Sequence, residues 1–242
     1  MPHPPVSSRR SFLRGAGTAG LAVGLGGLGA SASMAFAATG GDEIPVTATE
    51  DLMREHGVLR RVLLVYLLAA QRLRRGEQVS PNALRMAAQL FHVFGESYHE
   101  RAIEERYVFP EARKLGGKVA DYVDTLLVQH QRGRQITSAI MQAAQRNKIG
   151  RGESDQLANT LDSMVLMYQE HTAREDTVVF VAWKRMLSAR AYRARGEKFE
   201  EIEKKMFGHD GFDVAVNKIY GIEQELGMAK LAQFTAPLPV TP

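Results

Sequence analysis

The chain has 242 residues, 45% of them hydrophobic and none of them cysteine; this suffices for one substantial core and removes disulfides, thiolate metal sites and iron–sulfur clusters from consideration. Any metal is therefore expected on nitrogen and oxygen donors. The formal charge is +4, but three of the 31 cations, Arg9, Arg10 and Arg14, stand in an acid-free leader and the rest nearly balance 27 acids, so no nucleic-acid partner is expected.

Residues 8–14 read SRRSFLR, and a charge-free, Gly- and Ala-rich run from Gly15 to Ala37 follows, ending in Ala35-Phe36-Ala37. This resembles a twin-arginine export signal over residues 1–37, cut after Ala37; an uncleaved membrane anchor is the alternative. The resemblance implies the twin-arginine export machinery as a partner, a periplasmic or extracellular location, and folding with any cofactor before export.

Residues 38–48 read as a linker, and Thr47-x-x-Glu50 is a capping box that starts the first helix near Thr49. Leu52, His56, Leu59, Leu63, Tyr66, Ala70 and Leu73 then alternate steps of four and three, which puts His56 in a core seam. Gly76 ends this helix. Ser80-Pro81 starts the second, which carries Leu84, Ala87, Phe91, Phe94 and Tyr98 inward, passes His99 and runs to Pro110 or slightly beyond, closed by Gly116-Gly117. The third is expected from about Val119 to Arg146, with Val123, Leu127, His130 and Ile140 on its buried face and a turn at Asn147 to Gly152.

In the fourth helix Leu157, Leu161, Met164, Tyr168, His171, Glu175 and Val178 make an unbroken seam, so Glu175 stands where a leucine is expected. A buried, unpaired carboxylate is costly, so Glu175 needs a cation, a proton or a hydrogen-bond partner. Beyond Leu187, SARAYRARGEKFEEIEKKMFG reads as a solvated helix, and HDGFDVAVNKIYGIEQELGMAKLAQFT as one more helix and an ordered tail. Residues 188–242 thus form a C-terminal helical extension, with a loose end from Pro237.

Two stretches carry the chemistry. YHERAIEERYVFP (98–110) and YQEHTAREDTVVFV (168–181) align at Glu104-Glu105 against Glu175-Asp176, which also aligns Val108-Phe109 with Val179-Phe180. His56 precedes His99 by 43 positions and His130 precedes His171 by 41, an internal repeat of helix pairs. The expected fold is all-α, an up-down four-helix bundle over residues 49–187 that gathers the histidines into one layer. His171 and Glu175 are four apart and share a face, which favours Glu175 over Asp176. From His99 the four-residue position is Ile103, and in a straight helix Glu104 lies roughly 140° around. A π-bulge between them would restore one face, and Glu100 and Glu105 are the alternatives.

His56, His99, His130 and His171, with HxxxxE at 99–104 and HxxxE at 171–175, resemble the hemerythrin-like cation-binding domain over roughly residues 49–187. The resemblance implies two non-haem irons held by His56, His99, Glu104, His130, His171 and Glu175, with Glu104 and Glu175 as bridges. Imidazole and carboxylate donors also suit manganese or zinc. The implied partner is dioxygen or another small ligand such as nitric oxide or a peroxide.

The closing segment also resembles the C-terminal extension of exported members. Arg134 stands where oxygen-carrying members have a further histidine on the third helix, so a five-histidine site is not expected. His92 is a weaker substitute that more often packs or meets solvent, His3 belongs to the leader, and His209 reads as a cap or surface residue. Tyr66, Tyr98, Tyr107 and Tyr168 are the expected acceptors for the remaining ring N–H groups. Binding, sensing or metal storage ranks ahead of catalysis, because no separate acid–base or nucleophile constellation accompanies the ligands. The alternatives are a di-metal oxidase or peroxidase, and a metal-free helical interaction module; oligomeric state is left open.

Overall fold

The computed structural model describes residues 46–145, 151–208 and 210–239, and every regular element among them is a helix. The expected export leader, the expected linker up to residue 45, most of the expected turn at Asn147 to Gly152, and His3 and His209 lie outside the described residues.

α1 (Ala48–Arg74) starts one residue before the expected Thr49, with the Glu50 carboxylate accepting the Thr47 N–H at 3.2 Å. The second rod starts at Ser80, whose hydroxyl accepts the Ala83 N–H at 3.1 Å, with Pro81 at the first helical position. It comprises α2 (Pro81–Leu90), a π-helical segment Phe91–Val108 and α3 (Phe109–Ala112). A 3₁₀ turn, Arg113–Leu115, and Gly116 at a φ of 69° end it. The third rod is α4 (Gly117–Ala143). The fourth comprises α5 (Arg151–Arg174), a π turn at Glu175–Val179 and α6 (Phe180–Met186).

Cross-rod pairs fix the directions. His56 meets His99 while Tyr66 meets Phe91, so the first two rods are antiparallel. Arg134 meets Glu100 while His130 meets Glu105, and His56 meets Asp176 while Arg74 meets Asn159, so the sense alternates around the ring. The bundle is up-down, as the short connections demand.

The expected seams are buried: Leu52, His56, Leu59, Leu63, Tyr66, Ala70 and Leu73 on α1, and Leu84, Ala87, Phe91, Phe94 and Tyr98 on the second rod. Two inward residues differ, and on α4 it is Leu126 that is buried while the expected Leu127 is half-buried. Val178 is half-buried and Val179 is fully buried, because the π turn inserts one residue and passes the inward position along by one.

The extension consists of α7 (Ala189–Phe207) and α8 (Gly211–Glu225). α7 is less solvated than its composition implies. It buries Phe199 in a stack against Trp183, ring centroids 6.1 Å apart, and Trp183 Nε1 donates to Glu111 at 2.7 Å. Arg61 grips Glu223 of α8 with both guanidinium arms, at 2.7 and 2.5 Å. No helix among the described residues is long and apolar enough to cross a membrane. Phe199→Ala is expected to destabilise the bundle by about 3–5 kcal/mol in urea unfolding and to red-shift emission from Trp183, the chain's single tryptophan. Unchanged values for both would show that the extension does not brace the bundle.

Candidate metal centre

All six expected residues converge at mid-bundle, and all are buried: His56, His99, His130, His171, Glu104 and Glu175. The π-helix brings His99 and Glu104 together, since its five-residue hydrogen-bond step returns position i+5 to the face of position i. His99 Nε2 lies 3.3 Å from Glu104 Oε1, and His130 Nε2 lies 3.4 Å from Glu104 Oε2. Glu175 repeats the pattern, with Oε2 3.3 Å from His56 Nε2 and Oε1 3.0 Å from His171 Nε2. Each carboxylate thus spans two imidazoles from different rods. The rings pair as well: Nε2 to Nε2 is 3.0 Å for His56 and His99, and 3.2 Å for His130 and His171.

The outward nitrogens fix the tautomer. Nδ1 of His56 meets Asp176 at 2.7 Å, that of His99 meets Glu55 at 2.6 Å, and that of His130 meets Glu105 at 2.9 Å. Nδ1 of His171 meets Gln129 Oε1 at 2.9 Å. Each partner oxygen accepts, so each neutral ring carries its hydrogen on Nδ1 and turns the Nε2 lone pair inward. The four Nε2 atoms then face four carboxylate oxygens that have no hydrogen-bond partner. Acceptors alone cannot satisfy one another, so the centre requires cations or protons. Potential ligand atoms fall into a group of Glu104, His130, His171 and Glu175, and one of His56, His99 and Glu104, each spanning no more than 4.8 Å. Donor chemistry and orphaned oxygens both fit bound metal cations.

The family model of the hemerythrin HHE cation-binding domain matches residues 47–183. The chain belongs to this family. Uncharacterized proteins of Mycobacterium tuberculosis and Mycobacterium bovis are each 43% identical to it over 194 residues, covering 80% of this chain and 75% of theirs. No solved structure matches the chain.

In this HHE domain the tyrosines are not the ring acceptors that the sequence led one to expect. Tyr98 instead donates to Glu55 at 3.0 Å and Tyr168 to Glu100 at 2.7 Å, each one step further out. The hydroxyl of Tyr66 has no hydrogen-bond partner, and Tyr107 packs on Phe199. Phenols lose the contest because Glu55, Gln129, Glu105 and Asp176 sit directly behind the rings. These four follow a rule visible in the chain: the residue before the histidine on rods one and three, and the residue after the acid on rods two and four.

Glu100 is buried rather than a surface charge, held by Tyr168 and by Arg134 at 3.0 Å. Arg134 also pairs with Glu105, so its charge neutralises carboxylates behind His130. His92 lies near the surface against Glu96 at 2.7 Å and takes no part. The HHE domain also needs Gly133, since a Cβ there would lie 2.1 Å from the Tyr168 hydroxyl. Phe180 stacks on His56 at 5.5 Å and Phe109 on His130 at 5.3 Å, which realises the Val-Phe repeat as two matching dry walls.

The titration balance follows from this packing. Burial opposes charge on His130, but Glu100, Glu104 and Glu105 outweigh it and raise the imidazole from 6.5 to about 10. His99 is likewise raised well above the usual range, against burial, by Glu104 and Glu55. Burial pushes Glu175 up, yet His171 and His56 prevail and hold it low. The metal-free centre therefore keeps protons on its rings, and a metal must displace them.

Two outcomes follow. The folded metal-free protein holds the His130 proton more tightly than the unfolded chain does, so this contribution is complete below pH 6.5 and lost as pH rises to about 10. The urea midpoint of the metal-free protein is expected to fall across that window, and a flat or rising midpoint would contradict the assignment. Gly133→Ala is expected to cost about 1–3 kcal/mol by forcing Tyr168 off Glu100, measured by urea unfolding, whereas Gly57→Ala, at a site with open space, is expected to be neutral or stabilising.

Proposed function

We propose that this is an exported di-iron protein whose buried centre reversibly binds dioxygen, nitric oxide or a peroxide, or holds iron. The observation that carries this reading is the pair of buried carboxylates, Glu104 and Glu175, each spanning two imidazoles with oxygens that lack hydrogen-bond partners. One ion would take His56 and His99, the other His130 and His171, and the two carboxylates would be shared. Nitrogen and oxygen donors without thiolate suit iron, with manganese or zinc as competitors. Iron supplies redox chemistry and open coordination positions for a small ligand.

The chain's own part is positional. Asp176, Glu55, Glu105 and Gln129 orient the rings, and Phe109 and Phe180 keep bulk water from His130 and His56. Export is supported by SRRSFLR and the charge-free run to Ala37, a signal type suited to a protein that acquires its metal before crossing the membrane.

The test is elemental analysis of protein purified from the exported fraction, with optical spectra under nitrogen, oxygen and nitric oxide. Two irons per chain and a spectrum that responds reversibly to a gas are expected, along with a mature N-terminus at Ala38. Glu175→Ala and His130→Ala are each expected to cut iron to half or less. Background metal in the wild type would overturn the reading in favour of a metal-free interaction module, and variants that retain full metal would overturn it by placing the metal elsewhere.

A further inference from the structure

A cavity of about 450 Å³ opens between the second rod and the extension, away from the histidine layer. Leu90 and Phe94 of the second rod, Phe207 at the end of α7 and Ile222 of α8 line it, and Lys218 stands at its edge. Its size falls in the range of pockets that enclose small organic molecules, about 300–1,000 Å³, and its lining is chiefly apolar, as such pockets require.

Gly221 belongs to the lining. It sits inside α8, where glycine is the poorest helix former after proline, and its backbone does not use the positive φ that only glycine adopts easily. A Cβ at Gly221 would meet nothing within 4 Å, unlike one at Gly133, which would strike Tyr168. Helix packing therefore does not explain the missing side chain. Gly221 is exposed and part of the lining, so a larger side chain there would stand at the mouth of the cavity.

Charge selects the occupant. Among the described residues no carboxylate pairs with Lys218, which is exposed at the rim of an otherwise apolar wall. A long apolar body with one anionic end would bury its chain against Val93 and Phe207 and present its head to Lys218. We propose that this cavity is a binding site for a small amphipathic carboxylate of the medium-chain fatty-acid class. The aromatic floor also adjoins the metal layer: Phe94 and Phe207 lie 5.6 and 5.3 Å from the Tyr98 ring, whose hydroxyl donates to Glu55 behind His99.

The experiment is calorimetric titration of the full chain with decanoate, decan-1-ol and acetate. Decanoate is expected to bind with a Kd at least tenfold below that of decan-1-ol, and acetate not at all. Gly221→Leu, which adds bulk to the lining at a position where a Cβ meets no atom within 4 Å, is expected to weaken decanoate at least tenfold while helical content and urea midpoint are kept or raised. Lys218→Gln, at an exposed position, is expected to erase the preference for decanoate over decan-1-ol. No decanoate binding by the wild type, equal affinity for acid and alcohol, or decanoate binding that survives Gly221→Leu would overturn the proposal. So would concentration-dependent self-association that Gly221→Leu abolishes, which would make a second copy the occupant.

Discussion

The structure depends on an electrostatic conflict kept deliberately unresolved by protein groups. Glu104 and Glu175 are fully buried, their oxygens face imidazole nitrogens, and nothing among the described residues donates a hydrogen bond to them. Leaving two such carboxylates bare would cost more than a bundle of this size can spare, so a positive charge must enter. Protons on the rings serve in the metal-free state, and metal cations replace them. Much of the bundle's geometry is arranged so that this exchange can occur in a dry interior: the antiparallel rods, the two phenylalanine walls, and the ring of acceptors behind the imidazoles.

The sequence made the layer legible because helical periodicity marks which residues face inward. His56, His130 and His171 fall on apolar seams and His99 adjoins one at Tyr98, and their repeat spacing puts them at matching depth. The irregular five-residue step from His99 to Glu104 was legible too, as a mismatch that only a widened turn could repair. The extent of the repair was not. The π segment runs 18 residues, from Phe91 to Val108, and a change in backbone hydrogen-bond register leaves no trace in composition. The second π turn was hidden for the opposite reason: His171 and Glu175 satisfy an ordinary helix, and only the exchange of Val178 for Val179 reveals the inserted residue.

The shell behind the rings was harder to read. Each acceptor serves a histidine on a different rod, so its partner depends on side-chain direction across the bundle rather than on spacing along one helix. Glu55 adjoins His56 yet serves His99, and Glu105 adjoins Glu104 yet serves His130. Tyr98 precedes His99 by one residue and Tyr168 precedes His171 by three, so both lie near a ring along the chain. They prove to be the next layer out, where Tyr98 and Tyr168 hold Glu55 and Glu100.

The two halves of the repeat are alike in plan but not in chemistry. Glu55 stands behind His99, and Gln129 occupies the equivalent role behind His171, an acid in one half and a neutral amide in the other. Asp176 backs His56 and is shared with Arg60, and Glu105 backs His130 and is shared with Arg134, so the contrast rests on Glu55 against Gln129. A carboxylate behind a ring makes it a more basic donor than an amide does, so the two halves would hold a cation with unequal strength, His99 being the better-backed imidazole and His171 the weaker.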